Sequence, residues 1–329
     1  MHMADMLVSP SIGIAMYIAS ISTMTIACRK LKQMNDERKV PFMGVVGAFI
    51  FAAQMINFSI PGTGSSGHLC GGLLAAALLG PYEGFLVMAA ILTVQCLLFA
   101  DGGLLALGCN IWNMAFYSCL LSWFCIFHPI VRKKITKRRL FTASIFSSIV
   151  SLQLGAGSVV IETLLSDVTE LPMYLFFTAM QPIHLAIGLV EGVVTGAILC
   201  FIFESRPEIL NNNDTKFNLK PAIITFAITA LLLSGGLSLF ASENPDGLEW
   251  SLEKAGIEKS LSETSTVSST LQETIAIFPD YTVLGTESAF YTSIAGIFGS
   301  FLTIFSIVLT SKIFRFRRKK AKTIHEPYT

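Results

Sequence analysis

The sequence predicts an all-α polytopic membrane protein, and three observations carry that prediction. Of its 329 residues 53% are hydrophobic and only 14% charged, and the mean hydropathy is +0.64; an ordinary soluble domain carries roughly 25% charge. The apolar residues gather in nine runs, most near the ~20 residues that a helix needs to cross a hydrocarbon core of roughly 30 Å. All but one of the basic residues fall outside those runs, the exception being Lys312 at the end of the last. Helices are expected throughout, because hydrocarbon offers backbone N–H and C=O groups no partner outside a helix or a closed barrel.

The runs lie at about 8–28, 41–60, 67–80, 82–100, 103–127, 140–165, 174–203, 221–241 and 288–314. Arg29, Lys30, Lys32, Arg38 and Lys39 separate the first two, and Asp101-Gly102-Gly103 is a turn between the fourth and fifth. The third is short and rich in Gly and Ala, which suits a tilted or partial span. Six bases within Arg132–Arg139 follow the fifth run; Arg206, Lys216 and Lys220 follow the seventh; the ninth enters a basic tail, Lys312 to Lys322. All but two of the 23 Lys and Arg share one face if nine spans exist and the N-terminus starts on the other. The positive-inside rule makes that face cytoplasmic. A cell-membrane location is expected, with the N-terminus outside and the C-terminus inside.

The remaining two bases, Lys254 and Lys259, lie in an outer loop, 242–287, that also holds nine acids. The stretch 204–220 is polar and Asn-rich, as a linker would be. The chain thus divides into a seven-span module (1–203), a cytoplasmic linker (204–220), a two-span module with the acidic outer loop (221–318) and a cytoplasmic tail (319–329). The formal net charge of +1 excludes a strongly basic nucleic-acid binder. Seven Cys, an odd number in apolar stretches without a C-x-x-C pair, argue against a disulfide framework and a thiolate zinc site. MHMADMLVSP has no basic region ahead of its apolar run, so a cleavable signal peptide is not expected.

Pro61-Gly62-Thr63-Gly64-Ser65-Ser66-Gly67-His68 contains G-x-G-x-x-G. A nucleotide loop would need a preceding strand, and Lys where His68 stands; no strand is expected there. The glycines instead let a loop bend sharply. His2 and His68 fall on the same outer side. With a free α-amine on Met1, that amine, the amide nitrogen of His2 and its imidazole form fused chelate rings around one cation. The imidazole of His68 completes a four-nitrogen square, the geometry of Ni(II) or Cu(II), with Co(II) a competitor. Cys70 is a further soft ligand or a small buried thiol; at i and i+2 it does not share a helical face with His68.

His184 and Glu191, seven apart, share a face of the seventh span and form either a buried brace or a support for a ligand shell. Asp101, Asn57, Asn110 and Asn113 orient ligands from the outer helix ends, or cap helices and bond between them. Ser11, Ala15, Ala19, Thr23 and Ala27 form a small-residue stripe on the first span, where backbones approach closely. It packs on a sister helix or docks a separate subunit through Ala15 and Ala19.

Several of these segments together resemble the CbiM/NikM family, the substrate-binding membrane subunit of energy-coupling-factor nickel and cobalt transporters. The resemblance rests on Met1-His2-Met3-Ala4-Asp5, FAAQMINFSIPGTGSSGHLCGG (51–72), LLGPYEGFLVMAAILTVQCLLFADGG (78–103), ALGCNIWNM (106–114) and His184…Glu191-Gly192…Thr195. Asn244-Pro245-Asp246-Gly247-Leu248-Glu249 resembles the PDGLE motif of the small partner subunit of such systems, here fused. The resemblance implies a seven-helix bundle with an inserted N-terminus, and a metal held by Met1, His2 and His68. It departs at Met6, where many relatives have Gly, and at Cys70.

The expected function is capture of Ni²⁺ or Co²⁺ outside the cell and delivery inward, with no resident cofactor. Energy would come from cytoplasmic ATPase subunits through a transmembrane coupling subunit, since this chain has no complete Walker A motif and is not expected to be an enzyme. A gradient-driven permease would require more intramembrane carboxylates than Glu162 and Glu191. A metalloenzyme would need an open coordination position, which a closed four-nitrogen square does not leave in its plane.

Overall fold

The computed structural model describes residues 1–34, 39–169, 172–210, 218–256, 267–282 and 289–325. Arg38, Lys216, Glu258, Lys259, Glu263 and Glu287, with parts of the linker and acidic loop, lie outside those residues.

The elements are α1 (Pro10–Met34), α2 (Lys39–Gln54), β1 (Phe58–Ile60), β2 (Ser65–Gly67), α3 (Gly72–Leu79), α4 (Pro81–Phe99), α5 (Leu107–Val131), α6 (Lys137–Ser166), α7 (Met173–Ser205), α8 (Lys220–Gly235), α9 (Gly247–Lys254), α10 (Val267–Ile275) and α11 (Ala289–His325). Among the described residues seven helical segments are long and apolar enough to cross a membrane: α1, α4, α5, α6, α7, α8 with the turn that extends it to Phe240, and α11. The chain is a multi-pass membrane protein. The two other apolar runs form the shorter helices α2 and α3.

The run 41–60 is not one span. Its helix stops at Gln54, and residues 58–60 pair antiparallel with 65–67, Ser59 opposite Ser66. Gly62 and Gly64 between them have φ of +78° and +77°, which only glycine adopts freely, so the chain reverses rather than extending a helix. The described chain is mostly helical, as expected, and the expectation of no strand ahead of the Gly-rich segment is corrected here. The second strand leads into His68 and not into a phosphate-binding helix. Within α5, Ile111–Leu121 and Trp123–Phe127 are wound as wide π turns.

Small residues set the closest helix approaches. Gly188, Gly192 and Gly196 on α7 form a ridge at a spacing of four that meets Ile149, Ile145 and Phe141 of α6; a Cβ on Gly192 would lie 2.5 Å from the Ile145 Cα. Gly108 of α5 lies as close to the backbone of α1 at Tyr17. Helices α8 and α11 pack on α2, where Gly47 faces Thr303 and Ile307. Backbones that touch gain dispersion contacts that lipid cannot match.

Gly192→Val is expected to push α6 and α7 apart and to destabilise the protein by about 1–3 kcal/mol, the usual cost of overpacking. Gly157→Ala, whose added methyl would meet only the Gln181 side chain at 3.4 Å, is expected to leave stability unchanged or slightly raised. Thermal unfolding in detergent compares the two.

Candidate metal-binding site

The first nine residues thread into the bundle instead of trailing from it. Met1, Met3 and Leu7 are buried. Backbone groups buried in an apolar bundle need partners; Asp5–Leu7 winds into a 3-10 turn that bonds internally, and Met3 is bonded by α5 and the turn before it. Asn110 Oδ1 accepts from the Met3 N–H at 2.7 Å, its Nδ2 donates to the Met3 carbonyl at 3.1 Å, and the Gly103 N–H donates to the same carbonyl. Asp5 Oδ1 in turn accepts from the N–H groups of Leu105 and Ala106. Asn110 thus shapes the path of the terminus.

The threading delivers His2 against His68, with ring centroids 5.4 Å apart and planes 19° from parallel. His68 follows β2, and the loop behind it is held from both sides. Glu191 of α7 accepts from the N–H groups of Cys70 and Gly71, and Gln54 of α2 donates to the Cys70 carbonyl. His68 Nδ1 lies 3.2 Å from the Leu69 carbonyl, an acceptor, so Nδ1 carries the proton and Nε2 keeps a lone pair. Burial pulls the His2 imidazole below its ordinary pKa, and it pulls His68 down to about 4 with help from the Met1 ammonium and His2. Both rings are therefore neutral at neutral pH, the form that binds a cation.

Two carboxylates hold the other donors. The Met1 ammonium donates to Asp246 Oδ2 at 2.7 Å. Burial alone would raise Asp246, but the adjacent ammonium outweighs it and holds the carboxyl well below the usual carboxylate range. Its other oxygen caps α9, accepting from the N–H groups of Leu248 and Glu249, while Glu249 returns a bond to the Asp246 N–H. His2 Nδ1 lies 3.1 Å from Asp101 Oδ1, and Tyr281 donates to Asp101 Oδ2 at 2.7 Å. His2 Nε2 is buried without a partner. A cation bound by the Met1 amine and His2 Nδ1 would have to displace Asp246 from the first and Asp101 from the second. Among the described residues no three His, Cys, Asp or Glu side chains converge as a metal cluster.

The second module closes over this point. The Ser66 N–H donates to the Pro245 carbonyl, Ser66 Oγ to the Asn244 carbonyl and Trp250 Nε1 to the Thr63 carbonyl. Gln272 donates to the Gly102 carbonyl. A cavity of about 10 Å³ remains, with Met1, His68, Cys70, Met114, His184 and Asp246 among its lining.

The structure thus brings Met1, His2, His68, Asp101 and Asn110 together. His184 and Glu191 do not pair with each other: Glu191 holds the 70–71 backbone and His184 Nδ1 bonds to the Met180 carbonyl. Asn57 stands at the rim, its main-chain carbonyl accepting from the Ser242 N–H. On α1 the buried positions are Gly13, Ser20 and Ala27, whereas Ser11 and Ala15 are exposed and Ala19 half-buried. Asp246 and Tyr281 were not singled out from sequence as site residues; the capping pattern Asp246-x-x-Glu249 was the available signal for the first, and none marked the second.

The family profile described as cobalt uptake substrate-specific transmembrane region matches residues 2–209, and the PDGLE domain profile matches 220–316. A protein of Archaeoglobus fulgidus named as a fused nickel transport protein, NikMN, is 33% identical over 92% of this chain and 96% of its own length. One of Lactiplantibacillus plantarum named as a fused nickel transport protein, LarMN, is 28% identical over 87% and 90%. Among solved structures, a transition metal transporter aligns with TM-score 0.56 and 27% identity over 66% of this chain and all of its own. A truncated transition metal transporter aligns with TM-score 0.55 and 29% identity over 62% and 99%.

Asp246→Asn removes the charge that pairs with the Met1 ammonium but leaves an oxygen to cap α9. Amine-directed labelling of the Met1 terminus is expected to accelerate several-fold in that variant, and limited proteolysis should cut 242–256 sooner. Unchanged labelling would mean that the pair does not hold the terminus.

Proposed function

This chain belongs to the cobalt uptake substrate-specific transmembrane family, with a PDGLE domain fused behind that region, and from that premise we propose that it captures Ni²⁺ or Co²⁺ outside the cell. The observation that carries the reading is the meeting of the Met1 terminus, His2 and His68 at one buried point between Asp246 and Asp101. The acidic outer loop raises the local cation concentration, an effect that salt screens. The cation sheds water to enter, because the cavity is about one water in size.

The substrate is then held by the α-amine of Met1, the amide and imidazole nitrogens of His2 and the imidazole of His68. The Met1 ammonium and the His2 amide each lose a proton to water, and the His2 ring proton moves from Nδ1 to Nε2. Asp246 and Asp101 release the Met1 amine and His2 Nδ1, remaining as negative charges beside the cation. Three of the four donors belong to two consecutive residues, so fused rings impose a plane on them; the nickel or cobalt preference is set by how well the ion accepts that plane. Four nitrogens and no open in-plane position suit carriage, not catalysis.

Movement inward needs work that this chain is not proposed to supply. ATP hydrolysis is assigned to separate cytoplasmic ATPase subunits, and transmission to a transmembrane coupling subunit that docks on α1. The exposed Ser11 and Ala15 and half-buried Ala19 support that docking face, since small residues admit a second helix closely. In this reading the basic clusters and the C-terminus lie inside, and the site and N-terminus outside.

The decisive experiment is elemental analysis of two purified proteins after loading with nickel or cobalt. One keeps a native Met1 terminus; the other carries a few residues ahead of Met1. Stoichiometric metal is expected in the first and none in the second, and equal metal in both would refute the chelate. Uptake by cells with the partner subunits should be abolished by Ala15→Leu or Ala19→Leu through failed assembly, with metal content of the isolated chain retained. Uptake that persists without the ATPase subunits would favour a gradient-driven permease.

A further inference from the structure

His184 lies in the fourth turn of α7, is 1% exposed, and takes no part in the chelate proposed above. Its Nδ1 stands 2.8 Å from the Met180 carbonyl one turn back. A carbonyl only accepts, so Nδ1 carries the proton and Nε2 presents a bare lone pair. That Nε2 is buried and has no hydrogen-bond partner. Buried polar groups are nearly always satisfied, and one that is not calls for an explanation.

The surroundings supply one. His184 lines the same small cavity as Met1 and His68, with Cys70 and Met114 also on its wall. The ring edge is backed by Gly247 of the second module. A Cβ there would stand 3.2 Å from His184 Cε1 and 2.6 Å from the Ile183 side chain, so only glycine lets the Asp246-Gly247 turn sit this close. The cavity has room for about one water, which admits a bare divalent cation but not a hydrated one. Imidazole nitrogen and sulfur are the donor types that take late first-row divalent ions.

We propose that His184 Nε2 is a transit ligand: it receives the cation when the four-nitrogen chelate opens and holds it on the way inward. The inference rests on the capture reading above. As the chelate opens, the Met1 amine and the His2 amide regain from water the protons they lost on capture. There is no redox change, and no proton moves at His184, because its Nδ1–H stays on the Met180 carbonyl. His68 is the hinge of the exchange, since it belongs to the chelate and also lines the cavity that His184 enters. The seat is weak by construction. Among the described residues its side chains do not close into a three-ligand cluster, and a station that must give the ion up cannot bind it tightly.

The test uses the full chain with a native N-terminus, assembled with its coupling and ATPase subunits and loaded with Ni²⁺ or Co²⁺. His184→Leu removes the donor, His184→Gln keeps most of the volume and a polar end, and His184→Cys replaces one donor with another. All three are expected to hold the metal content and absorption spectrum of the unaltered protein. ATP-dependent release should slow at least tenfold in the Leu and Gln variants and recover in part in the Cys variant, which a purely structural role would not produce. Release at the unaltered rate in both Leu and Gln variants overturns the proposal. So does loss of metal from the folded Gln variant, which would make His184 a ligand of the capture site itself. Should the Leu variant fail to fold, the Gln and Cys pair decides. An extended N-terminus that leaves metal content unchanged instead refutes the capture reading, and the transit role with it. Loss of metal on extension together with unaltered release in the His184 variants refutes the transit role alone.

Discussion

A chain terminus that carries a full positive charge is costly to bury, and this one is buried. The contact between the Met1 ammonium and Asp246 makes that possible, since a charge withdrawn from water is tolerated only when paired and hydrogen-bonded. The rest of the site follows from it. A paired terminus can stay inside the bundle, where Asn110 holds Met3 and Asp5 collects the N–H groups of Leu105 and Ala106. A terminus held in that way places His2 against His68 and within reach of Asp101.

The two modules are consequently one device. The nitrogens come from the first module and one of the two carboxylates that engage them from the second; the other, Asp101, is held by Tyr281 of the second. The hairpin that carries His68 is bonded to the second module at Ser66 and Thr63. Opening that loop would expose the terminus, loosen Asp101 and free the strand ahead of His68 together. The same loop contacts thus cover the terminus, fix Asp101 and hold the hairpin, so none of the three is independent of the other two.

Much of this was legible in the residues. Hydropathy located the long helices, because a span in lipid has to be apolar along its whole length. The pairing of His2 with His68 was legible through topology, which put both on one side. The hairpin was not: Phe58-Ser59-Ile60 is too short and too apolar to separate from the end of a helix, and its reversal depends on two glycine φ angles that hydropathy does not register. The bond from Met1 to Asp246 spans 245 residues, and no local pattern encodes a contact between two modules. Glu191 and His184 share a face as expected, yet each bonds to backbone, because loop and helix carbonyls and amides offered nearer partners than the other side chain.

The covalent continuity between the regions matching 2–209 and 220–316 changes the thermodynamics of that closure. Two separate polypeptides would meet at a rate and occupancy set by their density in the bilayer, and the terminus would be uncovered whenever its partner was scarce. Tethering replaces that density with an effective local concentration, of order millimolar when two partners are joined by a few residues. Engagement then becomes independent of expression level, the ratio of the two halves is fixed at one to one, and a loop contact too weak to persist between free subunits is enough to keep the terminus covered.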